Sequence, residues 1–408
     1  MRIVLCGDGT RGDLQPLIEL AACLSAARHD AVVCGPPDFA ALAAARGVAY
    51  EPLGESAQAF FRDHASMLRR SPLAILREAF AYVERNVAAK LVALVEIARG
   101  ADLVVAGGAE LAASSAAERL GIPYRYVCYC PAVIPSDRHA PVFIDFDTPG
   151  RWRNRALWPL VIRPIEVAVR RMQGPARRAV GLGPVRRPYR HLLGERPLLA
   201  ADAVLADVPP DAPVPVQQIP ALHPLGGEPL PAKLAAFLDA GPPPVYVGFG
   251  SMPDDAPAAT TRLVLAAIER LGVRAVLSSG WAQLGGLALP EGVVEVGPVA
   301  HPHLFPRCAA IVHHGGAGTT TTALRAGVPQ VVVPHLADQF YWARRVRELG
   351  AGVTAPRKSR IDSASLVSAL GAVLDNEALA ARAADLGAAA RAAAGAMDPV
   401  AALLAIFD

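Results

Sequence analysis

The stretch AAIVHHGGAGTTTTALRAGVPQVVVPH, residues 309–335, holds two apolar runs with a glycine loop and a helix-forming run between them. AAIVHH (309–314) and PQVVVPH (329–335) are rich in β-branched residues and carry no acidic or Lys/Arg side chain, as strands covered on both faces do. HHGGAGT (313–319) closes the first run and opens a helix. Strand, glycine turn, helix and strand make one βαβ unit, the building block of a parallel sheet. N–H groups at such a helix start, together with the helix dipole, form an anion site suited to phosphate. Gly315, Gly316 and Gly318 allow close approach; Thr319 offers a hydroxyl and His314 a ring N–H. A Walker-type lysine is missing, which argues against an ATPase-like loop.

The neighbouring segments extend the pattern. After the second strand comes Pro334-His335-Leu336-Ala337-Asp338-Gln339, and Asp338 and Gln339 are short, directional partners for vicinal hydroxyls. Upstream, PPVYVGFG (243–250) reads as a strand, 256–271 as a helix and 273–278 as a strand; Ser251 adds a possible phosphate contact. Strand ends of one sheet thus converge on a nucleoside diphosphate carrying a polyol.

The first half repeats the alternation, with strands at 2–6, 31–35, 102–106 and 123–129 and helices at 14–27 and 110–119. The expected fold is α/β: two tandem Rossmann-like, doubly wound parallel-sheet domains with C-terminal helices. The expected division is a first domain at 1–215 and a linker at 216–235, within or beside the Pro/Gly-rich stretch 205–230. A second domain follows at 236–385, and a helical segment at 386–408 packs back on the first domain.

Gly7-Asp8-Gly9-Thr10-Arg11-Gly12 matches G-x-G-x-x-G between a strand and a helix. A dinucleotide site also needs a carboxylate at the end of the second strand, and that strand ends Val32-Val33-Cys34-Gly35. The loop therefore reads as a sharp strand-to-helix turn. Asp13 opens the helix either as a cap or as a general base facing the cleft where ligands of parallel sheets collect.

Length and composition bound the rest. At 408 residues the chain exceeds one ordinary domain, and 53% hydrophobic with 19% charged residues excludes disorder. Basic and acidic residues number 40 and 37, a net charge of +3, which does not fit a dedicated nucleic-acid binder. None of the six cysteines forms a CxxC pair, so they read as reduced core thiols; Cys128 and Cys130, on one strand face, lack the second pair of a zinc site. The apolar run after Met1 is shorter than the roughly 7–15 residues of a signal-peptide core, and a cytoplasmic protein is expected. Arginines crowd 151–196, interleaved with Trp152, Leu157, Trp158 and Leu160. This segment reads as a solvated helical excursion or as a basic amphipathic face for anionic lipid or an acidic acceptor, the second implying peripheral contact with the inner membrane face.

GPVAHPHLFPRC (297–308), HHGGAGTTTTALRAGVPQVVVP (313–334) and ADQ (337–339) resemble the donor-binding signature of nucleotide-sugar glycosyltransferases with the GT-B fold. The likeness is greatest to the bacterial antibiotic glycosyltransferases. TRGDLQP (10–16), LAADAVL (199–205) and FLDAGPPPVYVGFGSM (237–252) are similar to that group too. The resemblance implies inverting, metal-independent transfer from a dTDP- or UDP-sugar to a hydroxyl of a peptide- or polyketide-type aglycone, with no cofactor beyond the donor. By motif position, Asp13 matches the general base, and Thr10 and Arg11 match residues near the donor phosphates. His314, Gly316, Gly318 and Thr319 match the pyrophosphate cradle, Val299 the base site, and Asp338 and Gln339 the sugar site. Two positions depart from the pattern. Asp8 stands where relatives carry a small or neutral residue, and Thr322 where the plant-type pattern has a ribose-binding Glu, which leans toward a dTDP-sugar. The expected partners are a small-molecule acceptor and the donor, not nucleic acid, with the chain a monomer or homodimer. A sterol or lipid glycosyltransferase, a sugar-nucleotide epimerase and a non-catalytic sugar-nucleotide-binding helper are the alternatives.

Overall fold

Ile3 to Cys6 are all fully buried, with alternate residues serving opposite layers. Ile3 and Leu5 pack with Leu14, Leu17 and Ile18 of the helix Arg11–Ala26. Val4 and Cys6 face Leu91 and Leu94 of the helix Pro72–Ile97. A strand covered on both faces is the core of a doubly wound sheet. The computed structural model describes residues 1–59, 72–142, 144, 150–223, 228–250, 252, 254, 256–280 and 284–407.

The first sheet contains β1 (Arg2–Asp8), β2 (Asp30–Gly35), β3 (Ala49–Pro52), β4 (Leu103–Gly108), β5 (Tyr124–Cys128), β6 (Leu198–Ala200) and β7 (Gln217–Ile219). Its order is β3-β2-β1-β4-β5-β6-β7, parallel at every pairing. The second contains β8 (Val245–Gly248), β9 (Ala275–Ser278), β10 (Val293–Val296), β11 (Ala310–His313), β12 (Gln330–Val332) and β13 (Gly352–Thr354), in the order β10-β9-β8-β11-β12-β13, also parallel. Strand order reverses between β1 and β4 and again between β8 and β11. Crevices form at such reversals, beyond the carboxyl ends of the strands.

Several boundaries differ from those read in the sequence. β7 lies inside 216–235 and continues the first sheet, and the helix Ala232–Asp239 begins there too. The helix Glu377–Gly395 runs across residue 385 and packs on the helix Ala317–Ala326 of the second domain. The return to the first domain is made by Pro399–Leu404, which packs on Arg11–Ala26 and whose Ala402 and Leu403 carbonyls accept from Arg125 Nη1 at 2.6 Å. Cys128 ends β5, whereas Cys130 lies past the strand and its Sγ accepts from Ala132 N, so the two do not share a strand face. All six cysteines are free, and Cys23 is the exposed one.

Apolar contact also joins the halves. Cys130, Ala132 and Leu205 of the first domain belong to one buried cluster with Leu324, Trp342 and Val346 of the second.

Candidate active site

The chain leaves β1 at Asp8, turns at Gly9 (φ +125°) and enters the helix at Arg11. A Cβ at Gly9 would collide with the Asp13 carboxylate, and one at Gly108 (φ +65°) would lie 2.7 Å from Asp13 Oδ1. Glycines at the ends of β1 and β4 therefore make the space that Asp13 fills. Thr10 donates to Asp13 Oδ2 twice, from N at 2.7 Å and from Oγ1 at 3.1 Å. This is the carboxylate half of a capping box. Tyr129 Oη fixes the helix start by donating to the Asp13 carbonyl at 3.0 Å. Among the described residues, none donates to Oδ1. Oδ2 is thus engaged at the helix start, while Oδ1 lies beside Gly108 at the end of β4.

Asp13 is half-buried. Desolvation pushes it up to about 7 against the pull of the two Thr10 bonds, and the charges of Asp338 and Asp8 act in the same direction as desolvation. A carboxyl titrating there holds and releases a proton near neutrality, as a general base must.

Across the cleft, His313 organises the glycine loop. Gly315 N donates to His313 Nδ1 at 3.0 Å, which leaves Nε2–H to donate to Gln330 Oε1 at 2.9 Å. Gly315 needs its freedom: φ is +91°, and a Cβ would stand 2.8 Å from Val332 and 3.0 Å from the Gln339 carbonyl. Gly316 is the N-cap of the helix Ala317–Ala326. Thr320 N is the first N–H bonded back into this turn, to Gly316 O at 3.0 Å, so those of Ala317, Gly318 and Thr319 are left at the mouth. His314 is 8% exposed, and its Nδ1 has no partner among the described residues. Burial, aided by the neighbouring His313, His335 and His301, holds it well below the usual histidine range. The ring is therefore a neutral hydrogen-bonding group. Thr320 and Thr322 hydroxyls donate to the carbonyls of Gly316 and Gly318 at 2.9 and 2.8 Å, whereas Thr319 makes no such bond.

Asp338 follows Ala337, a non-glycine residue at φ +55°, and stands at the N-cap position of the helix Gln339–Leu349 without a side-chain cap bond. Its Oδ2 accepts from Trp342 Nε1 at 3.1 Å, and burial pushes it up to about 6. Val299 is half-buried in the turn between β10 and the helix His301–Leu304, packed against the apolar cluster that includes Leu304 and Phe305.

Three expected contacts look different in the structure. Gln339 is 3% exposed, and its Oε1 accepts from His335 N and Leu336 N at 2.8 and 3.0 Å, so this amide shapes the loop around Asp338. Thr10 is committed to Asp13, and Arg11 Nε donates along its own helix to Gln15 Oε1 at 2.9 Å. Ser251 lies outside the described residues. Sequence reasoning passed over Lys90 and Glu110. Lys90 Nζ stands 2.5 Å from Asp8 Oδ2 and 3.6 Å from Glu110 Oε2, with Lys90 2% and Glu110 1% exposed. One signal was available: Lys90 is one of only three lysines among 40 basic residues.

Two Rossmann-like domains, a glycine loop that opens a helix on one and a raised carboxylate at a strand end of the other, form the framework of a nucleotide-sugar transferase. Residues 262–405 match the family described as erythromycin biosynthesis protein CIII-like, C-terminal domain. The chain is 41% identical over 364 residues to glycosyltransferase GtfE of Amycolatopsis orientalis, covering 86% of this chain and 85% of the relative. It is 39% identical over 369 residues to the vancomycin aglycone glucosyltransferase of the same organism, with the same coverage. The solved structure of glycosyltransferase VinC in complex with dTDP shares the fold, with a TM-score of 0.69, 22% identity and 96% of each chain covered. The chain belongs to the family of glycosyltransferases that includes GtfE and the vancomycin aglycone glucosyltransferase, and it is an enzyme that transfers glycosyl groups.

Proposed function

We propose that this enzyme moves a sugar from a dTDP-sugar to a hydroxyl of a peptide- or polyketide-type aglycone, by single displacement with inversion and without a metal ion. The observation that carries the reading is Asp13, with one oxygen tied to Thr10, no donor on the other among the described residues, and the charge of Asp338 from the second domain acting on it. Asp13 takes the acceptor proton as the acceptor oxygen attacks the anomeric carbon, and the bond from that carbon to the diphosphate oxygen breaks on the opposite side. The diphosphate's growing charge meets the N–H groups of Ala317, Gly318 and Thr319 and the ring of His314. Asp338 is the partner for sugar hydroxyls, held in place by Trp342 and by the Gln339-braced loop.

Two observations favour a dTDP donor. Thr322 is engaged with Gly318 O and supplies no carboxylate for a ribose diol. VinC, which shares the fold, is named with dTDP bound. The peptide-type acceptor rests on the relative named for the vancomycin aglycone. Thermal shift against dTDP, UDP and GDP tests the donor. Asp13→Ala tests the base: turnover should fall by about 10²–10⁴ with donor affinity nearly intact, and unchanged turnover would remove Asp13 from the chemistry.

A second reading, a lipid-borne acceptor, is favoured by the helix Arg151–Ala179, which presents Trp152, Leu160 and Val167 to solvent among arginines.

A further inference from the structure

Asp13 does not stand alone. Asp8 ends β1 in register with Gly108 at the end of β4. A Cβ on Gly108 would touch both the Asp13 carboxylate and the Asp8 carbonyl, at 2.7 and 2.8 Å. Glu110 lies two residues further on, and Asp338 approaches from the second domain. Among the described residues, neutral groups face this cluster: the Tyr129 hydroxyl beside Asp13, the Tyr50 hydroxyl near Asp8, the Tyr124 hydroxyl near Glu110, the Cys130 thiol near Asp338, and the Cys6 thiol and Asn86 amide beside Lys90. Neighbouring negative charges favour the protonated form of a carboxyl: Asp338 and Asp8 raise Asp13, and Asp8 raises Glu110. Among the described residues the cation placed within this group is Lys90, delivered by the helix Pro72–Ile97.

We propose that Lys90 is a positioning residue for transfer: its ammonium offsets part of the charge of Asp8 and so favours Asp13 as a carboxylate when the acceptor arrives. This rests on the reading of Asp13 as the base. The site is built for a lysine. Gly54, at φ +84°, leaves room for the stem, since a Cβ there would run into Lys90 Cε. A compact ammonium fits between two carboxylates where the broad, planar guanidinium of the chain's prevailing base would not. Stability alone is a weak reason for such a cluster, because well-packed apolar side chains often replace a buried ion pair without loss. Burial alone would pull Lys90 down, but Glu110 and Asp8 outweigh it and hold it above its ordinary value, so the charge stays in place.

The test is the pH profile of dTDP-glucose hydrolysis by the full chain without acceptor, with water taking the acceptor's place. Lys90→Met should move the acid limb up by about one pH unit, and Asp8→Asn should move it down by a similar amount. The double variant should return it to near the wild-type position, which a purely structural role for Lys90 would not produce. If Lys90→Met does not fold, Lys90→Gln, alone and with Asp8→Asn, takes its place. An acid limb unmoved in every variant that folds overturns the proposal. An acid limb that survives Asp13→Ala overturns the base reading instead, so the two failures are told apart.

Discussion

Asp202, just past β6 in the first domain, and Arg325, in the last turn of the donor-loop helix of the second, form a buried two-pronged ion pair. Arg325 Nε donates to Asp202 Oδ2 at 2.8 Å and Nη2 to Oδ1 at 2.6 Å. Ala221 closes the arrangement, its N donating to Asp202 Oδ1 and its carbonyl accepting from Arg325. The helix that opens from the glycine loop is thus fastened at its C-terminal end to the first domain.

Breaking this pair from one side leaves a charge buried without its partner. Arg325→Met should cost about 3–5 kcal/mol in urea unfolding. Adding Asp202→Leu should recover most of that loss, because the apolar pair has no orphaned charge. Equal losses in the single and double variants would mean that the pair's charge is not what the site needs.

The raised Asp13 makes a stability prediction with a definite sign. Its folded value of about 7 exceeds the ordinary 3.8. Between those limits the folded chain keeps a proton that the unfolded chain releases, so this group's contribution to stability is lost as pH rises through the window. Asn cannot ionise, yet its Oδ1 can still accept from Thr10. Asp13→Asn should melt with wild type near pH 4 and above it by on the order of a few degrees at pH 8, while transfer falls as it does for Asp13→Ala. Calorimetry at the two pH values checks this, and a gap independent of pH would contradict it.

The fold was legible wherever strands are buried on both faces. β1, β2, β4, β5, β8, β9, β11 and β12 stood out as apolar runs because each is covered by helices. Outer or very short strands such as Ala49–Pro52, Gln217–Ile219 and Gly352–Thr354 carry no such run, and their pairing comes from the neighbour already in place. The site divides in the same way. Asp13, His314 and Asp338 sit at strand ends with local glycine and helix-start signals. Lys90 reaches the cluster from a helix some 80 residues after Asp8, and no local pattern announces a partner at that distance.

The exposed face of Arg151–Ala179 yields a prediction for the lipid reading. Trp152 is 71% and Leu160 70% exposed, and the helix holds eight arginines against one Glu. Arg151 and Arg155 pair with Asp137 and Arg177 with Glu118, while Arg153 lies over Trp152. Apolar tips among cations suit an anionic headgroup layer. Sedimentation with phosphatidylglycerol vesicles but not phosphatidylcholine vesicles is expected, reduced by Trp152→Ala with Leu160→Ala. Protein left in the supernatant with both vesicle types would end the lipid reading.

The neutrality of His314 separates two ways of holding a diphosphate. A neutral ring supplies one N–H, and a hydrogen bond to a charged group is worth about 1.5–3 kcal/mol. His314→Ala should therefore weaken dTDP binding by roughly 10- to 150-fold in calorimetry. Titration of the diphosphate affects wild type and variant alike, so the ratio of their affinities isolates the ring. Because burial keeps His314 well below the usual histidine range, that ratio should stay constant from about pH 6 to 8. A ratio that grows as pH falls would mean that the ring binds as a cation. Equal affinities would move the phosphate recognition to the N–H groups of the helix mouth alone.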